Sequence, residues 1–564
     1  MDYMKKYQEW LDSDFIDAET KEELKSLESN EEEIQDRFYQ DLKFGTAGLR
    51  GKIGAGTNRM NKYTVALATQ GLAQTIIDHG KEAMEKGVAI SYDVRHKSDE
   101  FAKITAEVLA ANGIKVYTYD QITPTPVLSY TIRHLGTISG VMITASHNPR
   151  EYNGYKAYWD EGAQILDDIA SEILENISKV GDVSKVKSME FDKAVEEGLI
   201  TILDYSIVDK YMQDVLDLTI EDENLDKDIN VVYSPLNGCG NILVRRILDE
   251  RGFKNIHIVK EQENPDPDFT TVGYPNPEDP KAFKYAIELG NKVDADILIA
   301  TDPDADRVAV EVKNDKGGYT FLSGNETGSL LTYYILSRLS EKGKLPKNGA
   351  IVKSIVSTDL PEKIADKFGV AHFNVLTGFK NIYAKANEWD KTGEYQYIFG
   401  FEDAIGYSYG DNVRDKDAIS SSMMVIEMAA YYKAQGKTLL DVQKEIYEEF
   451  GYHAQNLNSV VLEGLDGQKL IARIMEEFRE NPIEEINGVK LESITDYLND
   501  ETGLEKQNCL GYKLEDGSWY ILRPSGTEPK IKLYIYSSAD TAEKAQEMAD
   551  AIFERANSKI LDVK

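Results

Sequence analysis

Asp296-Ile297-Leu298-Ile299-Ala300-Thr301-Asp302-Pro303-Asp304-Ala305-Asp306-Arg307 is an apolar run that breaks, at a proline, into three aspartates at alternate positions. The run from Asp296 to Ala300 reads as a buried strand. Three carboxylates this close repel one another, and a divalent cation relieves the repulsion. Hard oxygen ligands suit Mg²⁺, which keeps room for a phosphate oxygen or a water. The glycine and glutamate of an EF-hand loop are missing. The bland alternative is an acidic surface turn, and the apolar strand ahead of the loop weighs against it. An aspartyl phosphate, with Asp302 or Asp304 as nucleophile, stays open at this point.

Outward from that loop the chain repeats itself. Ile229 to Tyr233 is a short apolar run, followed by a helical stretch from Ile242 to Arg251, then Gly252 and a second run, Ile256 to Val259. The same order occurs earlier: Val88 to Tyr92, a helix from Phe101 to Asn112, Gly113, then Ile114 to Tyr119, with Val141 to Ile143 leading into Thr144-Ala145-Ser146-His147-Asn148-Pro149. It occurs again later: Ala350 to Val352, a helix from Pro361 to Phe368, Gly369, then Val370 to Val375. There Tyr395 to Phe399 leads into Gly400-Phe401-Glu402-Asp403-Ala404-Ile405-Gly406-Tyr407. Strand, helix, glycine, strand is the pattern of α/β layering, and three copies at long spacing predict three related α/β domains. The last segment differs. A strand at Trp519 to Leu522, a loop from Arg523 to Pro529, an alternating strand from Lys530 and a helix from Thr541 to Ala556 read as an α+β module. The fold class expected is therefore α/β: three similar mixed-sheet domains plus a smaller C-terminal α+β domain around a central cleft. The boundaries expected are 1–204, 205–323, 324–451 and 452–564. Residues 1–40 read as an acidic helical packing arm, with Asp17 or Thr20 capping a helix.

Each copy ends a late strand in a polar loop, and ligand groups in open α/β sheets sit beyond the carboxyl ends of strands. Three such loops converge on one cleft. Phe44-Gly45-Thr46-Ala47-Gly48-Leu49-Arg50-Gly51 reads as a glycine loop that lets the backbone approach a ligand. Arg523, Ser525, Gly526 and Thr527 form an anion cradle, with Lys530 and Lys532 adding positive charge. The 564 residues exceed one core, and a net charge of −34 argues against nucleic acid or an anionic membrane as partner. Two cysteines, Cys239 and Cys509, make neither a disulfide framework nor a zinc site, and fit a reducing compartment. No signal core and no membrane span is read, so a cytoplasmic location is expected. No Gly-x-Ser-x-Gly elbow or nucleotide P-loop is present. A serine, a metal loop, a hydroxyl-reading loop and a phosphate cradle together describe phosphoryl transfer on a sugar phosphate.

Four motifs in order then make the chain resemble the α-D-phosphohexomutases, in their longer phosphoglucomutase/phosphopentomutase branch. They are Thr-Ala-Ser146-His-Asn-Pro, Asp302-Pro-Asp304-Ala-Asp306-Arg307, Gly-Phe-Glu402-Asp-Ala-Ile-Gly and Arg523-Pro-Ser525-Gly-Thr527-Glu-Pro. The resemblance covers nearly the whole chain. It implies an isomerase that interconverts glucose 1-phosphate and glucose 6-phosphate through a phosphoserine at Ser146. Glucose 1,6-bisphosphate is then the activator and intermediate. It implies one Mg²⁺ per chain, on Asp302, Asp304, Asp306 and the phosphoserine. It implies Arg50, His147 and Lys156 as reacting-site residues, Lys156 being the candidate general base or acid. On physical grounds a lysine among cations can have a depressed pKa, which helps it shuttle a proton. Arg307, Lys380, Glu402, Asp403 and Lys416 are implied as substrate contacts, and Arg523, Ser525, Gly526 and Thr527 as the grip on the non-reacting phosphate. The partners expected are small sugar phosphates, and the state a monomer or weak dimer. Ala404 stands where many members have a serine, and Phe379 where shorter bacterial members have a histidine. Pentose or mannose phosphates, and a non-catalytic sugar-phosphate sensor, are the alternatives.

Overall fold

The computed structural model describes residues 3–45, 48–462, 464–524 and 530–563. The repeat is visible in strand order. The first sheet runs Gly48–Lys52, Tyr152–Trp159, Ser139–Ile143, Val88–Tyr92, Val116–Thr118, Ile200–Ile202. The second runs Tyr319–Leu322, Val308–Lys313, Ile297–Thr301, Val231–Ser234, Ile256–Ile258. The third, read in the same direction, is Gly406–Tyr409, Gln396–Glu402, Gly349–Ser354, Ala371–Val375. Four strands correspond throughout. In each sheet the first strand of the copy pairs parallel with its second and with the late strand. The late strand then pairs antiparallel with the strand that follows it. The three polar loops are thus the same connection, from a buried parallel strand to its antiparallel return. Each holds a non-glycine residue in left-handed backbone: Ser146 (φ 51), Ala305 (φ 51) and Ile405 (φ 49). Such conformations are uncommon and cluster at functional turns.

Two expectations need correction. The glycine loop is in part a strand: Gly48–Lys52 pairs antiparallel with Tyr152–Trp159. Gly48 makes this possible, since at φ 135 a Cβ there would meet Tyr155 O at 1.8 Å. The third polar loop is shorter than read. Gln396–Glu402 stays extended through Gly400, where a Cβ would meet the Tyr397 hydroxyl at 2.5 Å, and the chain returns at Gly406. The turn itself is Asp403-Ala404-Ile405.

The second and third sheets share one hydrophobic core, which includes Val231, Ile297, Val308, Leu330, Phe399 and Met424. Helix Ala418–Lys433 is buried almost all round at its centre, so its sequence carries little amphipathic signal. Helix Gly324–Glu341 begins with Ser323 and Glu326 in a reciprocal capping box. The first sheet has its own core. The N-terminal arm forms a small cluster around Tyr7, Leu24, Ile34 and Phe38, and Asp17 caps helix Ala18–Ser26 through the Thr20 N–H at 3.0 Å.

The fourth sheet is antiparallel, in the order Tyr452–Val461, Lys530–Ala539, Trp519–Pro524, Leu510–Leu514, Val489–Asp496, Glu485–Ile486. Helices Gly464–Glu480 and Ala542–Asp562 contribute to its core. Ile521, Tyr534 and Tyr536 alternate onto the opposite face and pack with Ile355, Val356 and Leu376 of the third module. Among the described residues no helix is long and apolar enough to cross a membrane.

Candidate active site

Asp302, Asp304 and Asp306 are buried, and one carboxylate oxygen from each lies within 4.8 Å of the others. The loop is held from several sides. Asp302 Oδ1 accepts the backbone N–H groups of Asp306 (3.1 Å) and Arg307 (3.0 Å). Thr125, at the start of helix Thr125–Leu135, donates its N–H to the Asp304 carbonyl and its hydroxyl to Asp304 Oδ2, both at 2.9 Å. Gly238 lies flat on Pro303, where a Cβ would meet Pro303 Cα at 2.4 Å. Cations come from other modules and from the loop itself. Lys156 Nζ, on a strand of the first sheet, is 2.8 Å from Asp304 Oδ2 and 3.4 Å from Asp306 Oδ2. Lys416 Nζ is 3.1 Å from Asp306 Oδ2 and 2.9 Å from Asp415 Oδ1. Arg307 Nε is 3.7 Å from Asp306 Oδ1.

This compensation is uneven. Burial, then the charges of Asp304 and Asp306, push Asp302 well above the usual carboxylate range. Burial also acts to raise Asp306, but Lys416, Lys156 and Arg307 outweigh it and hold that carboxyl low. Asp304 Oδ1 and Asp306 Oδ1 are buried with no hydrogen-bond partner. Buried oxygen acceptors left without donors suit a bound cation. The donor set therefore fits a divalent metal ion.

Ser146 faces this triad. Its Oγ donates to Asp302 Oδ2 at 2.9 Å and lies 3.3 Å from His147 Nδ1. Its N–H donates to Thr144 Oγ1 (2.8 Å), and Thr144 in turn donates to Asp93 Oδ2 (2.6 Å). His147 is half-buried, and its pKa is lowered well below the usual value by burial and by Arg307 and Arg50, so the imidazole is neutral. Arg50 is exposed and reaches the loop through Asn148 Oδ1 at 3.2 Å. The expectation of a depressed Lys156 is not met. Burial acts in that direction, but Asp304 and Asp306 reverse it and the pKa is raised.

The third module meets the three-aspartate loop directly. Arg307 and Gly406 form an antiparallel bridge, Val308 N–H donates to the Ile405 carbonyl, and Ala418 N–H donates to that of Ala305. Glu402, 8% exposed, accepts the Gly378 N–H at 2.6 Å, and Lys416 Nζ lies 5.2 Å from the Phe379 ring centroid. Asp403 is pushed up to about 7 by burial, against the pull of Lys532. Lys380 is paired with Asp167 at 2.7 Å. So Lys416 and Lys380, read as substrate contacts, are here engaged by carboxylates. In the fourth sheet Arg523 stands directly opposite Lys532. Ser525, Gly526 and Thr527 lie outside the described residues.

Sequence reasoning missed Arg95, Thr125, Asp93 and Asp415, which hold functional groups in place. The available signal was position: Asp93 and Arg95 follow strand Val88–Tyr92 at the same sheet end as Ser146.

Four family models match the chain in order. They are the phosphoglucomutase/phosphomannomutase alpha/beta/alpha domain I at residues 41–183, domain II at 209–317, domain III at 323–450, and the C-terminal domain at 470–555. The chain belongs to the phosphoglucomutase/phosphomannomutase family. A phosphoglucomutase of Staphylococcus aureus (strain MRSA252) is 37% identical over 547 residues, 94% of this chain and 96% of that one. With relatives this close over this length, the activity is that of a phosphoglucomutase, an isomerase acting by phosphoryl transfer. Two solved structures share the family fold. The open form of the Paramecium phosphoprotein pp63/parafusin, a phosphoglucomutase, has a TM-score of 0.70 at 19% identity, covering 93% of this chain and 95% of that one. A phosphoglucomutase/phosphomannomutase family protein from Burkholderia thailandensis has a TM-score of 0.68 at 18% identity, covering 92% of this chain and 97% of that one.

Proposed function

We propose that this family member interconverts glucose 1-phosphate and glucose 6-phosphate through a phosphoserine at Ser146 and a glucose 1,6-bisphosphate intermediate. The observation that carries the reading is Ser146 Oγ, 2.9 Å from a carboxylate of a buried three-aspartate cluster. In the forward half-reaction the sugar's free hydroxyl attacks phosphorus, the bond to Ser146 Oγ breaks, and the bisphosphate forms. After the bisphosphate reorients, Ser146 takes the other phosphoryl group. Mg²⁺ would be held by Asp302, Asp304, Asp306 and a phosphoserine oxygen, and when bound it neutralises charge on the transferring group.

The protein's own groups divide the remaining work. The neutral imidazole of His147, with Nδ1 3.3 Å from Ser146 Oγ, supports a role as proton acceptor. Lys156, protonated among carboxylates, suits the role of proton donor. Arg50 and Arg307 lend positive charge at the rim of the transfer site. Glu402 and Asp403 read sugar hydroxyls, with Lys380 and Lys416 supporting that wall. Arg523, Ser525, Gly526 and Thr527 grip the phosphate that is not reacting, which a reoriented bisphosphate satisfies equally. We assign the domains as 1–204, 205–323, 324–451 and 452–564. Two buried free cysteines and the charge of −34 support a cytoplasmic setting.

The test is Ser146→Ala. Turnover is expected to vanish while glucose 6-phosphate still binds by calorimetry; near-normal turnover would sink the phosphoserine reading. Ala404 removes one hydroxyl from the sugar wall. A panel of kcat/KM values for the 1-phosphates of glucose, mannose and ribose therefore tests the sugar, with ribose 1-phosphate leading the panel as the result that overturns glucose.

A further inference from the structure

We propose that Arg95 is a positioning residue for Ser146, locked in place by Phe269 of the metal-binding module. The proposal rests on the phosphoserine reading above. Four backbone carbonyls of the serine loop converge on this one guanidinium. Nη1 donates to the carbonyls of Pro149 (2.9 Å) and Tyr152 (3.1 Å), and Nη2 to those of Ser146 and Asn148. Converging carbonyls repel one another, and only a planar fork with several donors satisfies them together. Lysine offers three donors on one nitrogen and lacks the span. Arg95 is thus what lets the chain turn tightly enough for Ser146 to take its left-handed conformation.

The clamp is itself held from behind. Its side chain is buried, with Nε 3.4 Å from Asp93 Oδ2. Asp93 Oδ1 accepts the Arg95 N–H (3.0 Å) and the Ser98 hydroxyl (2.8 Å). Asp93 Oδ2 takes the Thr144 hydroxyl, and Thr144 takes the Ser146 N–H. One Asp–Arg unit therefore grips the serine loop on both sides of Ser146. Over its face lies Phe269, its ring centroid 5.1 Å from Arg95 Cζ. Phe269 is fully buried and has φ 45, an uncommon backbone state for an aromatic residue. The same segment adds Asp268, which is 3.0 Å from His96 Nε2 and 3.7 Å from Arg150 Nη1. So the second module, which carries the three aspartates, also presses on the device that fixes the serine. The approach of Ser146 Oγ to Asp302 is set by this contact as well as by the loop itself.

Arg95 touches no reacting atom, so its loss should slow transfer without weakening substrate binding. For Arg95→Gly we expect kcat to fall about 10²-fold with KM within about threefold, the scale on which small misplacement costs transfer rate. Added guanidinium should restore at least about a tenth of the loss by refilling the vacated clamp. Arg95→Lys should stay folded, with a cooperative but lowered thermal melt because carbonyls are left unpaired, and remain as slow. Phe269→Leu should lie between. The rates are read as single-turnover transfer of labelled phosphate from the phosphoenzyme to glucose 1-phosphate, with the labelled residue mapped by peptide digestion. Folded Arg95→Lys with label on Ser146 and a wild-type transfer rate overturns the clamp. So does Arg95→Gly that guanidinium does not rescue while its melt stays cooperative. Label on a residue other than Ser146 overturns the phosphoserine reading instead, and so distinguishes the two failures.

Discussion

Asp306 and Glu311 lie close together in the chain, on the acidic loop and on the strand that returns from it, and both carboxyls are buried. Their treatment is opposite. Asp306 faces Lys416, Lys156 and Arg307, which together hold its pKa low in spite of burial. Glu311 has Oε2 without a partner, and burial alone pushes it up to about 7. Only Arg307 among the cations at Asp306 is local: Lys156 comes from the first module and Lys416 from the third. The acidic loop is charge-compensated only when three modules assemble around it. That is the mark of a site built at a junction, whereas Glu311 is a carboxyl that packing has enclosed.

The comparison breaks most visibly at the metal cluster. Asp304→Ala is expected to lower kcat by about 10³-fold or more, because transition-state charge loses a ligand of its counter-ion. Treatment with EDTA should abolish turnover and Mg²⁺ should restore it; a chelated enzyme at full rate would remove the metal from the scheme. The compensating lysines come next. Lys156→Met and Lys416→Met should each cost about 10²-fold in kcat, since the other lysine and Arg307 remain to face Asp306. The double variant should lose about 3–5 kcal/mol of stability, the scale of a buried charge stripped of its partners. Additive, small losses in a double-mutant cycle would show that the two lysines do not share Asp306.

How far the chain announces this arrangement differs between its parts. The strands were legible because the copies are written as short apolar runs ending in polar turns, and Thr144–Pro149 and Thr301–Arg307 carry their chemistry in plain residue types. The three-aspartate cluster was legible for the same reason. The registration of the modules was not. Lys156 sits within an apolar strand, and nothing local says that it points at Asp304 rather than at substrate. The expected depression of its pKa failed because the carboxylates around it come from distant sequence. Lys380 and Lys416 look like solvated charges until Asp167 and Asp306 are brought beside them. Arg95 shows the limit most clearly, since four carbonyls in a distant loop leave no trace in side-chain identity. The shared core of the second and third modules was hidden because helix Ala418–Lys433 is enclosed on nearly every side and shows no clear stripe.

The smallest expected effect sharpens the comparison from the other side. Glu311→Gln should leave kcat within about twofold, because no reacting group is near it, and should raise stability at neutral pH. The sign follows from linkage. The folded pKa, about 7, lies above the ordinary value of 4.5, so the folded state holds its proton more tightly than the unfolded chain. The wild type therefore loses stability as pH rises from about 4.5 to about 7, and the loss is constant above that range. Glutamine carries no charge at any of these pH values and shows none of this loss. At pH 8 the variant should gain about 1–3 kcal/mol in urea unfolding of the unit formed by the second and third modules, the upper figure being the full pKa difference. At pH 5 most of that gain should be gone. A gain that is equal at both pH values would mean that shape rather than charge is responsible. No gain at pH 8 would mean that the enclosed carboxyl of Glu311 is as well compensated as that of Asp306, and the contrast between them would fall.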